Sequence, residues 1–399
     1  MTSTVLVLNS GSSSLKYQLV DPSSGEALAS GLIERIGEES GRVKHQSGGS
    51  TVEREQPVPS HADALKVALG LFDEAGPSLA GAGVAAVGHR VVHGGALFSA
   101  PVLLDDDAVA GIRSLIPLAP LHNPANVTGI EVARELLDVP HVAVFDTAFF
   151  ATLPPAAATY AVDRKVAEEH GVRRYGFHGT SHQFVSAAVA AHPDVQALGR
   201  SPLRQVVLHL GNGASASAVL DGVAVETSMG LTPLEGLVMG TRSGDLDPAI
   251  VFHLVRNAGM SVDDVDTLLN KSSGLKGLAG VNDMRELQRL VASGDEAARL
   301  AMDVYLHRLR KYVGAYAAAL GGIDVLTFTA GVGENDARVR AGVVQGLGFL
   351  GLEVDPARNE APSREARVIS PTGTGALVMV VPTDEELAIA RQAMELVSR

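Results

Sequence analysis

Residues 5–20 read VLVLNSGSSSLKYQLV, and residues 206–221 read VVLHLGNGASASAVLD. Each stretch is an apolar run, then a turn of small residues, then a second run, the pattern of a buried strand, a tight turn and a return strand. In the first, Lys16 and Gln18 fall on one face of the return strand. Shifted by 200 residues the two stretches align, with Gly211 on Gly11, Val207 on Val7 and Asp221 on Asp21. A hairpin that recurs at the start of each half of the chain suggests a duplicated architecture.

Outward from these hairpins, Val84 to Val87 reads as a strand leading to His89, Arg90 and His93, and His141 to Phe145 as a strand ending at Asp146. Polar groups at strand ends are where α/β folds collect ligand chemistry. Gly37 to His61 is polar and reads as exposed loops or hairpins, and His61 to Ala75 has helical spacing. Ser293 is placed to cap a long helix that ends at Gly321-Gly322, with a strand over Ile323 to Ala330 beyond it. Thr383-Asp384-Glu385-Glu386 has the form of a capping box ahead of a final helix.

The 399 residues allow two or three domains and a large core, with 46% hydrophobic side chains, 43 Gly and 19 Pro. Thirty-two basic against 45 acidic residues give a net charge of −13, which provides no global field for nucleic acid or anionic lipid, and neither partner is expected. Without cysteine there is no disulfide framework, thiolate metal site or cysteine nucleophile. The apolar opening, Val5 to Leu8, is far short of an export segment, and Val313 to Val332 is interrupted by Tyr316, four glycines and Asp324, so a cytoplasmic protein is expected.

Three small-residue loops each follow a strand: Asn9 to Ser14, Gly211 to Ser215 and Gly331 to Asn335. Such loops let backbone N–H groups approach a phosphate closely, and three of them suggest a nucleotide held by two similar halves. Lys16 could reach a phosphate or be a solvated strand lysine. Arg90 and Arg242 could each grip an anion or form a surface ion pair, and Asp146 could serve chemistry or cap a turn. His178 stands among Gly176, Phe177, Gly179 and His182, where the glycines argue against regular helix. The histidine spacing does not suggest catalytic zinc, and Glu385 could help hold Mg²⁺ or simply favour a helix N-terminus.

Nine segments in order then resemble the acetate kinase family: VLNSGSSSLKY (7–17), GHRVVHGG (88–95), PLAPLHNP (117–124), FDTAF (145–149), YGFHGTSH (175–182), HLGNGAS (209–215), MGTRSGDLDP (239–248), NDMR (282–285) and TAGVGEN (329–335). The resemblance runs over almost the whole chain. It implies an α/β fold of two duplicated actin-like ATPase domains, each a mixed sheet flanked by helices, with the nucleotide cleft between them. The domains would be 1–150 joined by the C-terminal helix 384–399, and 151–383.

The activity implied is reversible in-line phosphoryl transfer from MgATP to acetate, giving acetyl phosphate and ADP, in a homodimer. Propionate or butyrate kinase activity is the nearest alternative, and a nucleotide-driven binding module of the same fold a more remote one. By resemblance, Asn9 and Glu385 support Mg²⁺ (or Mn²⁺ in its place), and Ser12, Ser14 and Lys16 form a phosphate hairpin. Arg90 binds the substrate carboxylate, Asp146 is catalytic, and His178 and Arg242 stabilise the transferring phosphoryl group. His209, Leu210, Gly211, Asn212, Gly213, Asp283, Met284, Arg285, Gly331, Val332, Gly333, Glu334 and Asn335 match nucleotide-binding segments, and Val92, Leu121, Phe177 and Pro233 an apolar pocket for the methyl group. Phe150, Glu226 and Asp384 depart from the family pattern, the last adding a charge beside Glu385. Acetate is ionised near pH 7, so Asp146 is expected to orient rather than to transfer a proton.

Overall fold

The computed structural model describes residues 3–399. The chain divides into two compact units, Met1–Ala151 with Asp384–Arg399, and Thr152–Thr383.

Among the described residues the first unit holds eight strands: β1 (Thr4–Ser10), β2 (Ser14–Val20), β3 (Ala27–Glu34), β4 (Gly41–Ser47), β5 (Ser50–Gln56), β6 (Val84–Val91), β7 (Val102–Leu103) and β8 (His141–Phe145), in the order β5-β4-β3-β2-β1-β6-β8-β7. The second holds β9 (Arg204–Leu210), β10 (Ala214–Leu220), β11 (Val223–Thr227), β12 (Val325–Thr329), β13 (Arg367–Val368) and β14 (Leu377–Val380), in the order β11-β10-β9-β12-β14-β13. Both sheets share one plan. An antiparallel triplet (β3-β2-β1, β11-β10-β9) continues into two parallel strands (β6-β8, β12-β14) and ends on a short antiparallel edge. The α/β class and the duplication expected from the two hairpins are thus present in the sheet order itself.

The polar stretch 37–61 supplies the β4–β5 hairpin, and the helix over His61–Ala75 forms where its spacing predicts, capped by Ser60 accepting from the Asp63 N–H. Its apolar stripe, Leu65, Ala68 and Phe72, packs with Leu6, Tyr17, Ile33 and Val43 of the sheet. In the second unit Val185 and Val189 of the helix Gly179–Ala191 pack on Val207, Val325 and Met379. Among the described residues no helix is long and apolar enough to cross a membrane.

Some local expectations are corrected. Asp295, not Ser293, caps the long helix Glu296–Leu320; Ser293 closes the preceding helix, because Gly294 at φ 89° turns the chain between them. Asp384, not Thr383, caps the final helix Glu385–Val397 by accepting the Leu387 N–H at 2.9 Å. The strand ahead of Gly331 is shorter than expected, and Ala330–Asn335 is a short helix rather than a loop, entered through Ala330 at φ 64°.

Two glycines set close approaches in the first unit. Gly88 in β6 leaves room for the final helix: a Cβ there would come within 2.7 Å of the Ile389 side chain. Gly31 in β3 lies between its ladder partners Tyr17 and His45, and the Tyr17 ring crosses over it to bring its hydroxyl within 2.9 Å of His45 Nδ1. A Cβ at Gly31 would overlap that ring. Gly31→Ala is therefore expected to lower stability by about 1–3 kcal/mol as an overpacking change, read as a fall in urea midpoint at unchanged slope; an unchanged midpoint would show that the ring can swing aside.

Candidate active site

In the first unit β6 runs on past Val87, so His89 and Arg90 lie on the strand rather than after it. Alternation then sends the two side chains to opposite faces. His89 turns inward and its Nε2 lies 2.9 Å from His141 Nδ1. Burial, then the neighbouring His141, holds His89 well below its usual range, so this pair is neutral packing. Arg90 meets Asp146, which follows β8: Nε donates to Oδ1 at 3.0 Å and Nη2 to Oδ2 at 2.6 Å. Asp146 is thus an orienting partner of Arg90 rather than a turn cap. Burial works against the charge on Arg90, but Asp146 and then Glu385, 3.7 Å from Nε, raise its pKa. Burial pushes the Asp146 carboxyl up, Arg90 pulls it down, and Glu385 adds to the rise.

The β1–β2 hairpin places Ser12 in solvent and Ser14 half-buried, with the Gly11 N–H donating to the Ser14 carbonyl at 2.8 Å. Lys16 is exposed and ion-paired with Glu386. Asn9 is the penultimate residue of β1, next to this turn, and faces Lys16 in the ladder. Val92 is buried and Leu121 is 47% exposed. Asn126, which the sequence reading passed over, accepts the Val92 N–H at 3.1 Å and donates to the Ser10 carbonyl at 2.8 Å. Its neighbour Asn123 brackets His93 through both backbone groups. Two asparagines three apart on a helix face, both buried, are the signal that could have found them.

In the second unit His178 is not in an irregular loop. It is the N-terminal residue ahead of the helix Gly179–Ala191, in the left-handed region at φ 58°, so His182 lies within regular helix after all. The turn is strained for a non-glycine residue, at about 1 kcal/mol or more. It aims the imidazole at β10, where Nδ1 lies 2.9 Å from Ser215 Oγ, and the ring stacks on His209 with centroids 4.3 Å apart. His209 Nδ1 in turn meets Ser181 Oγ at 2.8 Å, and Ser181 meets Thr383 at the same distance.

The tip of the β9–β10 hairpin is one residue tighter than the first, with the Gly211 N–H donating to the Gly213 carbonyl at 3.0 Å. A Cβ on Gly213 would sit 3.4 Å from His178 Nε2 and 3.6 Å from Arg242 Nη1. The imidazole, the guanidinium and a bare stretch of backbone therefore share one spot. Arg242 donates from Nη1 to the Pro233 carbonyl at 3.3 Å, and among the described residues no carboxylate pairs with it. Burial lowers its pKa, working against the charge. A largely buried cation without a counter-ion is a site waiting for an anion.

Beside this spot lies a cavity of about 260 Å³ lined by Gly211, Asn212, Asp283, Met284 and Val332 among others, which brings together three of the segments that the sequence resemblance matches to nucleotide binding. Asp283 caps the helix Met284–Ala292 and binds the Arg285 guanidinium; those bonds, with Arg285 first and the Glu286 N–H next, lower its carboxyl to about 2. Glu334 Oε1 accepts the N–H of Ala330 at 2.8 Å and of Thr383 at 3.1 Å, fixing the turn after β12, and Asn335 returns to the Gly331 carbonyl at 2.9 Å. Leu210 and Phe177 are fully buried. Of the family departures, Phe150 is core, Glu226 is 3.8 Å from Arg174, and Asp384 is the helix cap already described. Among the described residues no group of three or more His, Cys, Asp or Glu side chains is placed to hold a metal ion.

The chain belongs to the acetokinase family, whose sequence model matches residues 4–391. It is 58% identical over 399 residues to the acetate kinase of Leifsonia xyli subsp. xyli, covering 99% of both chains. Among solved structures it is similar to the acetate kinase of Porphyromonas gingivalis, with TM-score 0.92 and 43% identity over 99% of this chain and 100% of that one. It is also similar to a propionate kinase from Francisella tularensis subsp. tularensis, with TM-score 0.92 and 41% identity over 98% and 99%.

Because Arg242 carries a desolvated charge with no ionic partner, its removal should not cost stability. Arg242→Met is expected to hold or raise the urea midpoint, by roughly 1 kcal/mol, in ligand-free protein. A clear loss of stability would show that the guanidinium is a structural clamp.

Proposed function

We propose that the protein catalyses reversible, in-line transfer of the γ-phosphoryl group of MgATP to acetate, giving acetyl phosphate and ADP. The observation that carries this reading is the convergence of His178 Nε2 and the unpaired Arg242 on Gly213. A phosphoryl group in transit spreads negative charge over three equatorial oxygens, so preorganised donors and a fixed cation are what its transfer requires. His178 and Arg242 supply them from the second unit. Its cavity at Gly211, Asp283 and Val332 is suited to the nucleotide, and the Ser12–Ser14 turn with Lys16 offers donors to phosphate from the first unit.

Arg90 is the acetate-binding group. A guanidinium has two edges that can grip a carboxylate, and Asp146 takes the edge formed by Nε and Nη2. The edge formed by Nη1 and Nη2 is left for the substrate, with Asp146 holding the plane in place and taking no proton. Val92 and Leu121, in the same unit as Arg90, supply apolar lining for the methyl group.

Mg²⁺ is the expected metal, with Mn²⁺ able to replace it. The donor chemistry fits: Glu385 and Asp146 set two carboxylates against the single guanidinium of Arg90, an excess of negative charge that a hard divalent cation relieves. Glu385 and the Asn9 amide oxygen would hold the ion. When bound, it neutralises charge on the phosphate oxygens. A homodimer in the cytoplasm completes the reading, and the helix Ala249–Asn257, with Ile250 and Phe252 exposed and no residue buried, supplies an apolar face of the kind a second copy covers.

Acyl phosphate trapped as the hydroxamate by hydroxylamine, with acetate, propionate and butyrate compared, tests both the reaction and the acyl chain. Acetate should give the highest kcat/KM, although one methylene is worth only about 1–3 kcal/mol. No hydroxamate with any of the three acids would remove the reading. Arg90→Ala is expected to raise the acetate KM roughly 100-fold while the ATP KM stays within threefold or so. Arg90→Lys should recover little of the loss, because an ammonium cannot serve Asp146 and substrate on two planar edges. Equal losses for both substrates would take the carboxylate away from Arg90.

A further inference from the structure

His182, Ser215 and Ser217 have no place in the reaction as described, yet all three are completely buried. Ser215 and Ser217 are alternate residues of β10 and so share a face, and His182 stands in the first turn of the helix Gly179–Ala191 packed on that side. His182 Nε2 lies 2.7 Å from Ser215 Oγ, and its Nδ1 lies 2.7 Å from Ser217 Oγ. Ser215 Oγ is also 2.9 Å from His178 Nδ1. A continuous chain of hydrogen bonds therefore runs from Ser217 through His182 and Ser215 to His178.

Such a chain has a direction. Ser215 has one hydroxyl hydrogen and lies between two ring nitrogens, so it donates to one ring and accepts from the other. Burial, and then His209, hold His182 well below its usual range, so it is neutral and carries a single N–H. With a neutral His178, two arrangements remain. In one, Ser217 donates to His182 Nδ1, His182 Nε2–H donates to Ser215, and Ser215 donates to His178 Nδ1, which leaves the hydrogen of His178 on Nε2. In the other every bond is reversed, His178 carries its hydrogen on Nδ1, and the Ser217 hydroxyl hydrogen must find another acceptor. Among the described residues none lies within reach of Ser217 Oγ besides His182. A buried hydroxyl hydrogen without an acceptor is costly, and that selects the first arrangement.

We propose that Ser217, His182 and Ser215 form a positioning relay that fixes His178 as the Nε2–H tautomer, so that a neutral imidazole donates a hydrogen bond to the transferring phosphoryl group. The inference rests on the role given to His178 under the proposed function. It makes His182 and the two serines positioning residues, acting through His178 alone. The atom they set is the one facing the bare backbone of Gly213 and Arg242 Nη1.

The test uses the full-length enzyme labelled with ¹⁵N-histidine, at a pH where His178 is neutral, with its resonances identified by their loss in His178→Ala. In the parent protein His178 should show the protonated nitrogen at Nε2 and the bare one at Nδ1; a hydrogen on Nδ1 would overturn the proposal with no relay substitution needed. Ser217→Ala, at the end of the hydrogen-bond chain remote from His178, should give a mixture of tautomers and lower kcat about tenfold, with the KM values for ATP and acetate within about twofold. Ser215→Ala should lower kcat by at least as much. In a His178→Ala background both serine substitutions should leave the residual kcat unchanged. Losses of the same factor in both backgrounds would reduce the relay to packing and overturn it. A His178→Ala enzyme with parental kcat would instead sink the catalytic assignment of His178, while the ¹⁵N spectrum would still report whether the relay sets the tautomer.

Discussion

Everything at the candidate site follows from one constraint of parallel pairing. Where β1 runs beside β6, and β9 beside β12, the carboxyl ends of neighbouring strands come out on the same edge of each sheet. The backbone groups there have run out of ladder partners and must be satisfied by turns, by side chains or by ligands. In the first unit Asn123 and Asn126 take up several of them. In the second, Glu334 does so for Ala330 and Thr383, and the Gly211–Gly213 tip closes on itself and, through the Asn212 carbonyl, on the Gly240 N–H, beside His178 and Arg242.

The two arginines show opposite uses of the same side chain. Arg90 is fully charged because Asp146 and Glu385 surround it, so its position is set before any substrate arrives. Arg242 has a carbonyl and no carboxylate, so its charge is uncompensated until an anion comes. The first arrangement gives orientation; the second stores electrostatic potential in a low-dielectric setting, which is where a fixed cation acts most strongly on a passing charge. On the function proposed above, the first would hold a carboxylate in its ground state and the second would face a phosphoryl group in transit.

The hairpins, the repeat and the polar strand ends were legible in the sequence because turn chemistry and period-2 alternation act over a few residues. Motif order supplied the family. What stayed hidden is long-range. Arg90 was visible, but not that Asp146, 56 positions on, already holds one of its edges. His178 and His182 were visible as two histidines among glycines, but not that both hydrogen-bond to serines of a strand that reads as Ala-Ser-Ala-Ser-Ala-Val-Leu. Alternating serines in an otherwise apolar strand were the clue, since a buried hydroxyl implies a partner. The misplaced caps at Ser293 and Thr383 have a local cause: an aspartate stands within two residues of each and competes for the same N–H groups.

The bare backbone of Gly88 fixes when, as well as where, the first unit is finished. Ile389 and Ala393 cover β6 at that glycine, so part of the core of the first unit comes from the far end of the chain. During synthesis residues 152–383 emerge before residues 385–397 exist, so the second unit has its whole sequence in hand while the first still shows an apolar strand to solvent. The nascent protein therefore carries a sticky face through more than half of its elongation, and a ribosome that stalls after residue 383 releases a chain that keeps it.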